Sequence, residues 1–258
     1  MNILEKFMHE RLAAVEAAKS FVSLEQLREQ AEGRVHHSLK TRLLATGKTH
    51  IISEMKKASP SAGLLQPDYD PTAIAKSYLE NGADAISVLT EPLHFLGSED
   101  DLRRVRATVD LPILRKDFMC DPYQVVEAAA WGADLILIIA AMLTDDQIQL
   151  LYNTALEQGL EVLTEVHTKE ELDRVLPFSE AIIGVNSRNL KTLKTDLATA
   201  HELAAFIPQD RLSVAESGIS RRTEIESLES AGYDAFLIGE ALVSGDDPGG
   251  RLAELISY

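Results

Sequence analysis

The sequence predicts an α/β fold, a (β/α)8 TIM barrel with an N-terminal helical extension. Three observations predict it: eight short and nearly continuous hydrophobic runs, helical patterns between them, and a length of 258 residues. One barrel of this class typically needs about 250 residues, and strands covered on both faces of a parallel sheet have uninterrupted apolar sequences. No G-x-G-x-x-G pattern follows the first run, which argues against an open dinucleotide-binding sheet.

The predicted strands are rich in β-branched and other apolar residues. Successive runs begin roughly 20 to 35 residues apart, which leaves room for a loop, a helix and a return loop. The predicted strands cover residues 50–55, 85–90, 112–115, 135–140, 160–166, 181–185, 212–215 and 235–239.

Helical patterns fill the gaps between the strands. Asp70 and Asp121 are typical N-cap residues, and each is followed by a proline that suits the first helical position. The predicted helices cover residues 71–81, 121–131, 144–158, 168–176, 196–206, 222–231 and 251–257.

A repeated pattern marks three of the turns from helix to strand. The segments NGADAISV, WGADLILI and AGYDAFLI share a glycine, an aspartate two residues later and then a strand. We expect Gly82, Gly132 and Gly232 to end their helices in the left-handed conformation, which glycine adopts without strain.

Residues 1–48 precede the first strand and are predicted to form a helical extension packed on the barrel. Apolar residues recur in this region at near-helical spacing, at Leu4, Phe7, Met8, Leu12 and Val15. No linker rich in proline, glycine or serine separates the extension from the strands, so one domain is expected over residues 1–258.

Composition limits the partners that we expect. A net charge of -16, from 25 basic and 41 acidic residues, repels nucleic acid and anionic membranes, so neither is expected as a partner. No run approaches the roughly 20 apolar residues of a membrane span, and the charged N-terminus does not resemble a signal peptide, so a cytoplasmic location is expected. Cys120 is the single cysteine, and no residue spacing suggests a metal site, so we expect no metal.

Polar and charged residues collect where the predicted strands end, which is where active sites of these barrels lie. The cations are Lys56, Lys116 and Arg188, and the neighbouring acids are Glu54, Glu165 and Glu216. A structural ion-pair network at the rim is the alternative interpretation. Because buried charge is costly unless it is paired, the concentration of so many charges in one place favours function.

Glycines follow the last two strands, where these barrels usually bind phosphate with backbone N–H groups. Gly218 and Gly239 therefore predict a phosphate site, with a tight turn as the alternative role of Gly218. An acidic protein can bind such an anion only in a local basic pocket. His167 lies near the same mouth, and the sequence leaves open whether it participates or is a bystander.

Seven motifs together resemble the indole-3-glycerol-phosphate synthase family of tryptophan biosynthesis, and they occur in that family's order along the barrel. They are IISEMKKASPSAG (51–63), SVLTEPLHFLGS (87–98), LPILRKDFMCDPYQV (111–125), VLTEVHTKEEL (162–172), IIGVNSRNLKT (182–192), VAESGI (214–219) and AFLIGEALV (235–243). The resemblance implies a carbon–carbon lyase that needs no cofactor. Its substrate would be 1-(o-carboxyphenylamino)-1-deoxyribulose 5-phosphate, and its products indole-3-glycerol phosphate, carbon dioxide and water.

The resemblance also implies roles for individual residues. Lys116 would be the general acid on the ketone oxygen, Glu165 a second acid/base in dehydration, and Lys56 a holder of substrate charge, with Glu54 completing the catalytic set. The implied substrate-binding residues are Ser59, Phe95, Phe118, Asn186, Arg188, Glu216 and Ser217. The implied phosphate-binding residues are Gly218, Gly239 and the backbone of Glu240.

Several questions stay open at the level of sequence. Lys56 would lower the pKa of Lys116 whereas Glu54 and Glu165 would raise it, so the net direction is undecided. Alternative functions are an aldolase that forms a Schiff base on Lys116 or Lys56, a sugar-phosphate isomerase, and a non-catalytic barrel that binds phosphorylated ligands. In every case the expected partner is a small phosphorylated molecule, and the expected state is a monomer or weak homodimer.

Overall fold

Eight parallel strands close into a barrel in the computed structural model, which describes residues 3–190, 192–245 and 247–257. The strands pair in chain order, and the last pairs with the first, so the (β/α)8 prediction is confirmed. They are β1 (Ile51–Met55), β2 (Ala85–Leu89), β3 (Ile113–Lys116), β4 (Leu135–Ile139), β5 (Glu161–Val166), β6 (Ile182–Asn186), β7 (Ser213–Glu216) and β8 (Ala235–Ile238).

Closure of the barrel is set by the register of β1 with both neighbours. Ile51 lies opposite Phe236 of β8, and Ile52 lies opposite Ala85 of β2. Nearly every strand residue is buried, because helices cover the outside and side chains fill the inside. This burial on both faces explains why each strand is a continuous apolar run rather than an alternating one.

Helices lie between the strands and before them. Those before β1 are α1 (Ile3–Lys19), α2 (Leu24–Ala31) and α3 (Leu39–Leu43). The others are α4 (Pro71–Glu80), α5 (Glu99–Arg106), α6 (Pro122–Trp131), α7 (Asp145–Glu157), α8 (Lys169–Val175), α9 (Ala198–Ala204), α10 (Arg222–Ala231), α11 (Glu240–Val243) and α12 (Pro248–Ile256). A short antiparallel pair, Ala58–Ser59 with Gly63–Leu64, follows β1.

The predicted helix signals are confirmed at two helix starts and three helix ends. The side chains of Asp70 and Asp121 accept backbone hydrogen bonds from the first turns of α4 and α6, and a proline follows each cap. Gly82, Gly132 and Gly232 have φ values of 89°, 93° and 107°. The left-handed glycine therefore marks all three repeated turns, as the shared pattern predicts.

Three helices differ from the sequence prediction, and the shortest of them, α11, was not predicted. Helix α5 was not predicted, because six of the eight residues of EDDLRRVR are charged and only Leu102 and Val105 face the core. Helix α12 begins at Pro248, about one turn before the predicted start at residue 251. Asp247 caps it by accepting a hydrogen bond from the backbone of Gly250, so the glycines after Pro248 are helical rather than part of a loop.

Three strands end one residue later than predicted, and the difference matters for the site. Lys116, Asn186 and Glu216 are the last residues of β3, β6 and β7 rather than the first residues of the following loops. Side chains on strands are held more rigidly than side chains on loops. The barrel therefore fixes these three polar groups directly.

Helix α1 is joined to the end of β3 by a buried ion pair. Arg11 Nη2 lies 2.8 Å from Asp117 Oδ2, and the same carboxylate accepts a hydrogen bond from Thr90 and contacts Arg115 at 3.1 Å. Arg115 is fully buried, and its guanidinium lies 3.9 Å from the ring centroid of Trp131. The extension is thereby connected to the residue that follows Lys116.

Replacing Arg11 with methionine is expected to lower the free energy of unfolding by about 3 kcal/mol, because Asp117 would lose one of its buried partners. Urea denaturation of purified protein measures the change. Lys19→Met is the matched control, since Lys19 joins the same helix to the partly exposed Asp121 at 2.7 Å, and such pairs contribute about 0.5 kcal/mol. Equal losses in the two variants would contradict this assignment.

Candidate active site

A cavity of about 460 Å³ opens at the carboxyl ends of the barrel strands. Thirteen of the fourteen residues that the sequence singles out line it: Glu54, Lys56, Ser59, Phe95, Lys116, Phe118, Glu165, Asn186, Arg188, Ser217, Gly218, Gly239 and Glu240. The remaining residue, Glu216, contacts Lys116 from the end of β7. The structure therefore brings the whole predicted set together.

Lys116 is at the centre of a buried charge cluster. Its Nζ lies 3.1 Å from Glu54 Oε2 and 3.2 Å from Glu216 Oε2. Burial alone would lower the pKa of Lys116, but the charges of Glu54, Glu216 and Glu165 outweigh it and raise the pKa above its usual value. The direction that the sequence left open is decided by the carboxylates, and the amine is an ammonium in the free protein.

Glu54 bridges the two lysines of the site. Lys56 Nζ lies 2.6 Å from Glu54 Oε1, on the opposite carboxylate oxygen from Lys116. Burial raises the pKa of Glu54, but the two ammonium groups outweigh it and bring the pKa to about 2. Glu54 is therefore a permanent anion that sets the positions of both cations.

The surroundings of Glu216 raise its pKa, whereas those of Glu54 lower it. Burial raises its pKa to about 7, because the neighbouring anions Glu165 and Glu54 offset much of the attraction of Lys116. Its carboxylate fits only because β6 has a glycine opposite: a Cβ on Gly184 would lie 2.3 Å from Glu216 Oε1. Sequence reasoning missed Gly184, although a glycine inside an apolar strand often marks a close approach.

Glu165 lies on β5 and is paired with a residue whose role the sequence left open. His167 Nε2 lies 3.3 Å from Glu165 Oε1. Burial raises the pKa of Glu165, but His167, and after it Lys116 and Asn186, outweigh this effect and lower the pKa. His167 therefore belongs to the electrostatic surroundings of the cavity.

Aromatic rings form one wall of the cavity. Phe118 stacks on Phe7 with ring centroids 4.9 Å apart, and Phe95 lies 6.2 Å from Phe118. Phe7, Leu4 and Ile3 belong to α1 and line the cavity. Sequence reasoning predicted that the extension packs on the barrel but missed its part in the site, which the apolar start of α1 could have indicated.

Two glycines line the end of the cavity formed by β7 and β8, and neither position has room for a side chain. Gly218 has a φ of 82°, and a Cβ there would lie 2.6 Å from Thr195 Cγ2. A Cβ on Gly239 would lie 2.3 Å from Glu54 Oε1. Gly239 is therefore required by the charge cluster itself, in addition to any contact it makes with a phosphate.

Arg188 and Glu240 close the rim between β6 and β8. Arg188 Nη2 lies 2.8 Å from Glu240 Oε2, and the Glu240 side chain is 58% exposed. An anionic ligand that enters here must compete with this carboxylate for the guanidinium. Among the described residues, no cluster of histidine, cysteine, aspartate or glutamate has a geometry suited to holding a metal ion.

Comparison with known proteins identifies the family. The family model described as indole-3-glycerol phosphate synthase matches residues 4–255. A protein of that name from Azospirillum brasilense is 45% identical over 251 residues, 95% of each chain, and one from Leptothrix cholodnii is 44% identical over 99% of each chain. One from Bordetella pertussis is 40% identical over 99% of each chain.

Solved structures with low sequence identity share the fold alone. Tryptophan synthase subunit alpha from Legionella pneumophila aligns with a TM-score of 0.61 at 14% identity, over 86% of this chain and 97% of its own. The 3-hexulose-6-phosphate synthase from Salmonella typhimurium aligns with a TM-score of 0.64 at 15% identity, over 80% and 96%. With the barrel, the charge cluster and the whole-length match all in agreement, this chain belongs to the indole-3-glycerol phosphate synthase family.

Proposed function

We propose that this enzyme converts 1-(o-carboxyphenylamino)-1-deoxyribulose 5-phosphate to indole-3-glycerol phosphate, carbon dioxide and water in tryptophan biosynthesis. The observation that carries the proposal is the Lys116 ammonium, which Glu54 and Glu216 hold at 3.1 and 3.2 Å inside the cavity. Family membership supports the same reaction.

The cavity has a suitable surface for each part of this substrate. The stacked rings of Phe7 and Phe118 suit the anthranilate ring, since aromatic pairs are favourable in offset geometry. Lys56 provides a cation for the carboxylate. Gly218 and Gly239 line the end of the cavity where these barrels bind phosphate with backbone N–H groups.

Ring closure requires an activated ketone next to the aryl ring. As the aryl carbon that bears the carboxylate bonds to the ketone carbon, the Lys116 ammonium stabilises the negative charge that develops on the ketone oxygen and then transfers a proton to it. The bond to the carboxylate breaks, carbon dioxide leaves, and its electron pair restores the aromatic ring. Because an alkoxide is more basic than an amine, Lys116 can donate this proton despite its raised pKa.

Dehydration completes the indole. The hydroxyl on the former ketone carbon takes up a proton from the Lys56 ammonium, which lines the same cavity, and leaves as water, while a base removes a proton from the neighbouring carbon. Glu165 is suited to be this base, because its lowered pKa keeps it a carboxylate at neutral pH. Lys116 and Glu165 therefore have separate roles in the two steps.

The charge cluster argues against a Schiff-base aldolase. A lysine nucleophile needs a neutral amine, whereas Lys116 is kept charged by three carboxylates and Lys56 is paired with Glu54 at 2.6 Å. An isomerase would release no carbon dioxide, and a non-catalytic barrel would bind substrate without turnover.

Mixing purified protein with the carboxyphenylamino substrate tests the proposal. We expect indole fluorescence to appear with one carbon dioxide released per indole formed, and we expect borohydride to trap no lysine adduct. Binding without turnover, turnover without carbon dioxide, or a trapped adduct would each point to one of the alternatives.

Charge at the rim should tune affinity for the phosphorylated substrate. Glu240→Gln removes a carboxylate that competes for Arg188, so KM is expected to fall by about threefold with kcat nearly unchanged, in keeping with the small energies of exposed ion pairs. Steady-state kinetics measures the change, and Glu254→Gln on α12 is a control whose carboxylate pairs with Arg251 instead. A raised KM would mean that Glu240 helps to hold the substrate.

None of the described helices combines the length and the apolar composition that crossing a bilayer requires. The cytoplasmic location and the monomeric or weakly dimeric state stay predictions.

A further inference from the structure

Three neighbouring side chains, those of Glu165, His167 and Glu171, connect the cavity to helix α8. His167 Nε2 lies 3.3 Å from Glu165 Oε1, and His167 Nδ1 lies 3.2 Å from Glu171 Oε2. The backbone N–H of His167 also donates to Glu171 Oε2 at 2.7 Å. The imidazole therefore bridges the proposed base of dehydration and a carboxylate in the first turn of α8.

We propose that His167 is a positioning residue for Glu165: as an imidazolium anchored by Glu171, it holds Glu165 in the carboxylate form and in a fixed orientation, ready to accept a proton in dehydration. This inference rests on the proposed function, because it concerns the form in which Glu165 begins that step.

The sequence explains why the three groups meet. Glu165 is the penultimate residue of β5 and His167 directly follows the strand, which brings their side chains within 3.3 Å of each other. Glu171 is held in place by α8, whose N-cap Thr168 accepts a hydrogen bond from the Glu171 backbone. His167 thus lies between two carboxylates, that of Glu165 on barrel strand β5 and that of Glu171 on the outer helix α8.

The electrostatic balance supports charged forms for both partners. Burial lowers the pKa of His167, but Glu165 and Glu171 outweigh it and raise the pKa to about 10. Burial raises the pKa of Glu165, whereas His167, Lys116 and Asn186 lower it, and the charge of Glu165 in turn raises the pKa of Glu216. Both Glu165 and His167 are therefore ionised at neutral pH.

Lys116 alone cannot replace His167 as the counter-ion of Glu165. Its ammonium is already in contact with Glu54 and Glu216, at 3.1 and 3.2 Å. Without the imidazolium, Glu165 would be a buried carboxylate near another anion, and its pKa would rise. Part of the enzyme would then begin dehydration with Glu165 already protonated and unable to accept the proton.

The pH dependence of indole formation by His167→Gln tests the proposal. We expect the acidic limb of kcat/KM to move about one pH unit or more towards neutrality, because a cation this close to a carboxyl group lowers its pKa by at least that much. At pH values above the limb, kcat should recover towards wild type, with KM nearly unchanged. A purely structural role would lower kcat equally at every pH, and a limb left at its wild-type position would overturn the proposal.

Glu171→Gln provides a second variant that leaves the imidazole in place. Weaker anchoring of His167 should move the limb in the same direction by a smaller amount, and an opposite or absent movement would overturn the proposal. His201→Gln is the matched control, since His201 lies on α9 with its ring nitrogen 3.3 Å from the Ser227 hydroxyl. It should leave the limb in place.

Nitrogen NMR of His167 gives a readout that does not depend on turnover. The ring should stay doubly protonated at neutral pH and lose a proton only near pH 10, and a neutral imidazole at neutral pH would overturn the proposal. Wild-type indole formation separates the two claims. If the wild-type protein forms no indole, the proposed function is refuted. If it forms indole but the acidic limb of kcat/KM does not move in His167→Gln, only the proposed role of His167 is refuted.

Discussion

Lys116→Met is expected to lower kcat by about 10³-fold or more, because the variant has neither a charge to stabilise the developing oxyanion nor a proton to donate. Methionine has a similar length and keeps the packing, so a stable substrate analogue should still bind with an affinity near that of wild type. Single-turnover kinetics and titration with the analogue measure the two quantities separately.

The same variant has a second expected consequence. Glu54 and Glu216 would lose their shared cation while both stay buried, so the pKa of each carboxyl group should rise. Lys57→Met is the matched control, since Lys57 follows Lys56 in sequence but does not line the cavity. Wild-type kcat in Lys116→Met, or an equal loss in Lys57→Met, would remove Lys116 from the mechanism.

Glu165→Gln is expected to lower kcat by roughly 10²- to 10⁴-fold, the usual contribution of a group that transfers a proton. Glutamine keeps the size and some hydrogen bonding, so Lys116 should still promote ring closure and decarboxylation. We therefore expect carbon dioxide to be released faster than indole fluorescence appears, because the ring-closed alcohol accumulates.

The matched control for this second prediction is Glu170→Gln. Glu170 is exposed at the start of the neighbouring helix α8 and does not line the cavity, so both signals should stay at wild-type rates. If carbon dioxide release and indole formation slow together in Glu165→Gln, Glu165 acts in ring closure rather than in dehydration.

The fold was predictable because patterns among residues close together in sequence indicate the strands and most of the helices. Burial on both faces turns each strand into an apolar run, and the left-handed glycine after a helix is visible in the repeated turn at Gly132 and Gly232. Helix α5 shows the limit of such signals, since its surface face is so charged that only Leu102 and Val105 indicate a core contact.

The candidate site was predictable as a set of residues but not as a network. The strand ends identified Lys116, Glu54 and Glu216, yet the direction of the Lys116 pKa depends on distances between different strands. The same reason applies to His167, whose pairing with Glu165 depends on where α8 places its other partner. Such distances arise from tertiary packing and leave no pattern along the chain.

The steric fit of the cluster was equally hidden in the sequence. Gly184 was not singled out from the sequence, and Gly239 was predicted only as a phosphate-binding residue, but each faces a buried carboxylate that a Cβ would approach to 2.3 Å. The wall formed by α1 was missed because Phe7 is remote in sequence from Phe118, against which it stacks.

The central claim is that the Lys116 ammonium donates a proton to the ketone oxygen as the ring closes. Single-turnover formation of indole by Lys116→Arg tests it most directly, because arginine keeps the charge but is a far weaker acid with a planar shape. We predict that this variant binds the substrate analogue nearly normally and forms almost no indole. Substantial turnover by a folded Lys116→Arg variant would contradict the claim and would assign Lys116 the role of a counter-charge.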